Sequence, residues 1–169
     1  MIRYEIVLLL LLVCFIILIC LFLLQIKTTL KVRNEKERLE KEIKRINVNS
    51  AIMKDWLMLK QKGISLSDWM IKCGITKVSL YGYGILGKAF YQELKDSDVE
   101  ILCIIDRNYK NINSNIPAVS PDNVPDSQAI VVSVINYYDE IEKELACKYR
   151  CPIISLEDIV YGVGYNFDE

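Results

Sequence analysis

Lys77-Val78-Ser79-Leu80-Tyr81-Gly82-Tyr83-Gly84-Ile85-Leu86-Gly87-Lys88, followed by Glu100-Ile101-Leu102-Cys103-Ile104-Ile105-Asp106, decides the reading of this chain. The first run reads as a strand entering a GxGxxG turn, and an amphipathic helix opens behind it. A second strand then ends on an acid nineteen residues after Gly87. Strand, glycine turn, helix, strand and acid is the context that a dinucleotide fingerprint requires. Each position has a physical task. Gly82 allows the tight turn, Gly84 lets a pyrophosphate approach the backbone, and Gly87 lets helix and strand pack closely. With Tyr83, Ile85 and Leu86 they form a turn whose amides face an anion at a helix N-terminus. Asp106 is placed to accept hydrogen bonds from a ribose hydroxyl.

Working outward, strands are expected at about 76–81, 99–105, 116–119, 128–134 and 152–156, and helices at about 84–96, 121–124 and 137–148. Ser120-Pro121 marks the second of these helices, and Asn136 with Asp139 caps the third. This alternation predicts an α/β fold with a parallel five-stranded sheet of order 3-2-1-4-5. Upstream, Gly63 breaks a helix, Ser65 to Asp68 has capping-box spacing, and Gly74 is a stop signal. Arg107 is positioned to meet a 2′-phosphate or stack on a base. Ser133 and Asn136, at the end of the fourth strand, are candidates to line the crevice.

Rival readings of the same residues are weaker. Residues 82–88 also fit GxxxxGK, yet Ala89 stands where a P-loop needs Ser or Thr for Mg²⁺. A methyltransferase usually carries an acid just before the glycines, where this chain has Ser79 and Tyr81. Tyr91 and Lys95 match YxxxK, but they lie on the helix that follows the glycine turn and read as one face of a surface helix. The turn can also serve backbone geometry alone.

The 169 residues are 52% hydrophobic and 25% charged with a formal net charge of −1, and these averages describe no part of the chain. Among the first 26 residues only Arg3, Glu5 and Gln25 are not apolar, and residues 6–24 carry no charge at all. Nineteen such residues match the ~20 that a helix needs to cross a bilayer. A signal peptide has a shorter apolar core and a small-residue cleavage site, whereas Gln25-Ile26-Lys27 follows here. Residues 1–26 are therefore read as a transmembrane anchor. Arg3 stands alone before the span and seven Lys or Arg follow it between Lys27 and Lys44, so the positive-inside rule places the C-terminal part in the cytoplasm.

Residues 27–62 lack proline, hold no glycine, and carry a charge of +4 over 27–50, which predicts a helical stalk. A heptad can be written with Val32, Leu39, Ile46 and Met53 at d and Thr29, Lys36, Ile43, Ser50 and Leu57 at a. Either this is a weak coiled coil that forms a homodimer, or its apolar stripe packs on its own globular domain. Residues 63–169 form one domain, and from residue 51 onward the charge is −5, which argues against nucleic acid as a partner. Absence of histidine excludes His-based triads, a His general base and mixed Cys/His zinc sites. The six cysteines lack CxxC spacing and read as free thiols; Cys147 and Cys151 stand at CxxxC. Thirteen residues after the fifth strand leave no expected second domain to hold a substrate, so no catalytic residue is assigned.

The runs YGYGILGKAFYQEL (81–94), VEILCIIDRN (99–108), IPAVSPDNVP (116–125) and PIISLEDIVYG (152–162) resemble the small Rossmann-like NAD(P)- or nucleotide-sugar-binding domains of bacterial polysaccharide-biosynthesis proteins. Comparable modules precede the catalytic domains of membrane-bound nucleotide-sugar dehydratases and of sugar acyltransferases. The resemblance covers about residues 64–162. It implies that Gly82, Gly84 and Gly87 form the phosphate turn, that Asp106 contacts the sugar of a nucleotide, and that the partners are glycan-assembly enzymes. The catalytic domain of those proteins has no counterpart here. The alternatives are a membrane interaction scaffold and a small oxidoreductase or epimerase.

Overall fold

The computed structural model describes residues 2–165. Helix α1 (Ile2–Gln61) runs through sixty residues without a glycine or proline. It stops where Gly63 adopts φ +74°, with Gly63 N–H donating to the Lys60 carbonyl and Ile64 N–H to that of Leu59, both at 3.0 Å. These two bonds satisfy carbonyls that the end of a helix leaves open. The chain divides into two compact units, one ending at Lys44 and one beginning at Arg45. In the first, α1 contains a stretch long and apolar enough to cross a membrane by length and composition.

The second unit begins earlier than the glycine break suggests. Ile52, Trp56 and Leu59 are buried, and their spacing of four and three residues puts them on one helix face. Burying side chains of this size contributes about 1.5–3 kcal/mol each. Residues 45–61, read from sequence as stalk, are therefore part of the globular core. The heptad residues are a different stripe: Val32, Leu39, Ile43, Ile46, Met53 and Leu57 are all exposed.

Ser65 caps α2 (Leu66–Lys72) by accepting from Ser67 N–H, and Gly74 follows its end with φ +74°. Five parallel strands then form the sheet: β1 (Lys77–Tyr81), β2 (Glu100–Ile105), β3 (Ala118–Val119), β4 (Ala129–Val132) and β5 (Ile153–Ser155). Their order is β3-β2-β1-β4-β5. Helix α3 (Ile85–Leu94) crosses from β1 to β2, α4 (Tyr138–Ala146) crosses from β4 to β5, and α5 (Leu156–Tyr165) closes the described chain. On one sheet face Val78, Leu80, Ile101, Ala129 and Val131 pack with the C-terminal turns of α1 and with α2, α3 and α5. On the other, Tyr81, Cys103, Ile105, Ile130 and Val132 meet Ile141 and Leu145 of α4. Ile101 and Cys103 lie on opposite faces although two apart, because the register slips between Val78 and Ser79 and Leu102 is the extra residue.

Two expectations are corrected and one helix is added. Residues 121–124 form a turn rather than a helix: Asn123 N–H donates to the Ser120 carbonyl and Asp122 N–H to the Ser120 hydroxyl. Pro121 and Pro125 bracket it, and a proline disfavours helical geometry in the residue before it. Asn136 does not cap α4, which starts from a 3₁₀ turn (Ile135–Tyr137) with no side-chain cap. The stretch after β5 is helical. Leu156, Ile159, Val160 and Val163 of α5 are buried at helical spacing, and Glu157 N–H donates to the Ser155 hydroxyl at its start.

Glu93 of α3 ties the helical layer together. Its side chain is 3% exposed. One carboxylate oxygen accepts from Trp56 Nε1 at 2.7 Å and pairs with Lys60 Nζ at 3.2 Å. The other accepts from Leu66 N–H at 2.9 Å and from the Ser65 hydroxyl at 3.2 Å. A single buried carboxylate thus joins α1, the start of α2 and α3.

Candidate functional site

β1 ends at Tyr81, and the chain turns at Gly82 with φ +87°, a conformation that costs a side-chain-bearing residue. Gly82 N–H donates to the Ile105 carbonyl at 2.9 Å. A Cβ on Gly82 would collide with Val134 Cγ2, and one on Gly87 would collide with the Gly82 carbonyl oxygen and lie 2.9 Å from Ser133 Oγ. Gly82 and Gly87 are buried against each other at the strand–helix junction. Gly84 differs from both. It is the N-cap of α3 with φ −77°, it is exposed, and a Cβ there would meet nothing within 4 Å. The first and third glycines of the fingerprint serve the protein's own packing, and the second leaves open space at the start of a helix whose first amides lack intrahelical acceptors.

That space belongs to a cleft of about 440 Å³. Residues 84–86 form one side, residues 133–137 after β4 form another, and Arg45, Ile46, Asn49, Ser50 and Met53 of α1 form the third. It lies at the carboxyl ends of β1 and β4, the neighbouring strands at which the order of the sheet reverses. Open α/β sheets bind ligands at this position, and the volume is within the usual range for small-molecule sites.

The sequence candidates divide over this geometry. Gly84, Ile85, Leu86, Ser133 and Asn136 line the cleft. Ser133 is buried, with its hydroxyl 3.1 Å from the Tyr81 carbonyl and 3.0 Å from that of Gly82, so it holds the turn as well as lining the crevice. Gly82 and Gly87 support the turn from behind. Tyr83 packs edge-on against Tyr91 at 6.2 Å, with Lys88 Nζ 5.6 Å from its ring centre. Burial first, and the neighbouring Tyr91 second, push the Tyr83 hydroxyl above its usual range.

Asp106 and Arg107 stand outside the cleft, on the β2 side of the turn. Asp106 Oδ1 accepts from Asn108 N–H at 2.7 Å, closing a local turn. Arg107 pairs with Glu144 of α4 at 2.7 Å, and Lys148 pairs with both Glu144 and Asp122. The hydrogen bond to Glu144 raises the Arg107 guanidinium above its ordinary value. The same bond holds the Glu144 carboxyl below its ordinary value, with Lys148 adding to the effect. Tyr91 and Lys95 line a shallow depression at the amino end of β2, with Glu100, Ile101 and Ile116.

Sequence reading missed the α1 wall. Its signal was a helix with two apolar stripes, of which the heptad drew attention and Ile52, Trp56 and Leu59 did not. No family model, curated protein or solved structure matches the chain.

Proposed function

We propose that this chain is a single-pass membrane protein whose cytoplasmic, Rossmann-like domain binds NAD, NADP or a nucleotide sugar at the glycine turn and serves as an accessory to cell-surface glycan assembly. The observation that carries the binding reading is Gly84, whose missing side chain leaves open space at the N-terminus of α3 and at the strand-order reversal. A diphosphate placed there meets backbone amides and the positive end of the helix. The ligand's remaining part is accommodated by residues 133–137 and the α1 wall. Asn136 and Ser50 offer polar groups there, and Ile46, Met53 and Val134 offer apolar surface.

Tyr91 and Lys95 lie at the amino end of β2, away from the turn, which favours binding over oxidoreductase or epimerase chemistry. The membrane part of the reading rests on the apolar stretch of α1 and on the excess of Lys and Arg that follows it.

Thermal unfolding of the full chain in detergent, with NAD⁺, NADP⁺ and a UDP-sugar, tests the binding reading. A ligand at a hundredfold excess over its Kd stabilises by about 2.7 kcal/mol. The expected result is a rise in Tm with at least one of the three that disappears in Gly84→Ala. No rise with any of them overturns the reading.

A further inference from the structure

We propose that the first two turns of α1 beyond its apolar stretch are a contact surface for anionic phospholipid headgroups, with Lys27 and Lys31 as the residues that take the lipid phosphate. The contact rests on the membrane span proposed above and involves only the first compact unit. What carries it is the place where the excess of positive charge lies. Residues 27–34 hold three cations, Lys27, Lys31 and Arg33, and no acid, whereas residues 35–44 hold four cations and four acids. The whole net charge of +3 over residues 27–44 therefore sits next to the apolar stretch.

Farther along, the charges answer one another within the helix. Arg33 pairs with Glu37 at 3.2 Å and Lys36 with Glu40 at 3.7 Å, each pair four residues apart. Lys27 and Lys31 are exposed and, among the described residues, belong to no ion pair. They are also four apart, so two like charges share one helix face, a spacing that is destabilising by itself. An anion seated between them removes that repulsion. The hydroxyls of Thr28 and Thr29 both donate to the Gln25 carbonyl at 2.8 Å and are thus spent on the helix. An acidic protein approaching from the aqueous side meets the balanced turns, and a bilayer meets the unbalanced ones.

Height along the helix agrees with this choice. At the α-helical rise the Cα atoms of Lys27 and Lys31 lie about 5 and 10 Å beyond Leu24, and the headgroup layer is about 5–7 Å thick. Side chains on a helix lean toward its N-terminus, here toward the bilayer, and the long lysine stems carry both ammonium groups to the level of the phosphates. From Lys36 onward the cations begin about 18 Å out, which is more than a Debye length of ~8 Å past that layer. A zwitterionic headgroup brings its own cation beside its phosphate, whereas phosphatidylglycerol brings an uncompensated charge, so the surface prefers the anionic lipid.

The test uses the full chain in vesicles of phosphatidylcholine alone and of equal parts phosphatidylcholine and phosphatidylglycerol. The first preparation is washed with alkaline carbonate. The second is dissolved in mild detergent, and the lipid that stays with the purified chain is identified by mass spectrometry. The wild type should resist the wash and retain phosphatidylglycerol over phosphatidylcholine several-fold. Lys27→Gln with Lys31→Gln keeps good helix formers in place and should bring the retained lipid close to the bulk ratio. Lys41→Gln with Lys44→Gln removes the same charge from the balanced turns and should leave the preference intact. A preference that survives in the first double variant, or that both double variants lose equally, would overturn the proposal. A chain that resists the wash yet retains the two lipids alike overturns the headgroup contact and leaves the span standing, whereas a chain washed out of phosphatidylcholine overturns the span and the contact together.

Discussion

The two flanks of the glycine turn have opposite chemistry although both are built from the ends of parallel strands. On the β4 flank the chain leaves a cleft, lined by residues 133–137 and by α1, into which the Gly84 position opens. On the β2 flank the polar groups are engaged by one another. Asp106 closes a turn on Asn108, and Arg107, Glu144, Lys148 and Asp122 form a chain of ion pairs that ties α4 to the loops after β2 and β3. Asp106 thus has one carboxylate oxygen committed to its own loop. The β4-flank cleft has as its third wall a helix that the glycine fingerprint does not include.

The largest test of this contrast is whether the α1 wall is held as described. Replacing Glu93 with Ala removes the acceptor of Trp56 Nε1–H and of Leu66 N–H, and each buried donor left unpaired costs about 1–3 kcal/mol. Glu93→Ala should therefore lower stability by roughly 2–4 kcal/mol, read as a fall in urea midpoint followed by tryptophan fluorescence. It should also weaken nucleotide binding, because α1 forms one wall of the cleft. A midpoint within error of the wild type would show that α1 does not depend on this carboxylate.

An alanine placed in turn at the three glycines gives the next largest effect. Gly87→Ala forces a methyl against a backbone carbonyl, and overpacking of this kind costs about 1–3 kcal/mol. Gly82→Ala adds the left-handed backbone penalty, about 1–2 kcal/mol, to a collision with Val134. Gly84→Ala should cost less, roughly 0.5–1 kcal/mol, because alanine is a poorer N-cap than glycine although a Cβ there meets open space, yet it should remove the response to nucleotide. Equal destabilisation at all three positions would mean that the turn serves packing alone.

What was legible in the sequence, and what was not, follows the range of the interactions. The order of the sheet, the turn, the Ser65 cap and the Gly63 break are written in local signals: period-2 apolar runs, a glycine that must take positive φ, a serine before a helix. Helix α5 was hidden because Gly162 and Gly164 lower its intrinsic propensity. Its burial pattern, 156, 159, 160 and 163, wins only once the sheet supplies a surface. The docking of residues 45–61 depends on Glu93, more than thirty residues away from Trp56, and no window along the chain reveals that pair. That Asp106 lies outside the cleft was likewise out of reach. The spacing specified the end of β2, and the Asx turn on Asn108 specified where the carboxylate points.

The smallest expected effects are those of pH, and they differ in sign between two groups of α4. Glu144 has a folded pKa held down by Arg107 and then Lys148, so its contribution to stability is present above its unfolded value of about 4.3 and is lost as pH falls through the depressed folded value. Because Arg107 is largely exposed, this pair is worth about 0.5 kcal/mol. Stability of the wild type should therefore dip slightly more steeply below pH 4 than that of Arg107→Ala. Tyr138, which joins α4 to β5 by donating to the Ile153 carbonyl at 2.8 Å, behaves in the opposite sense. Burial, and then Glu142, push its hydroxyl up to about 12. Its contribution is complete below the unfolded value of about 10 and is lost as pH rises toward the folded one. Unfolding midpoints of Tyr138→Phe should fall less between pH 10 and 12 than those of the wild type. A wild type and a Tyr138→Phe variant that lost stability in parallel over that range would show that this hydroxyl does not hold α4 to β5.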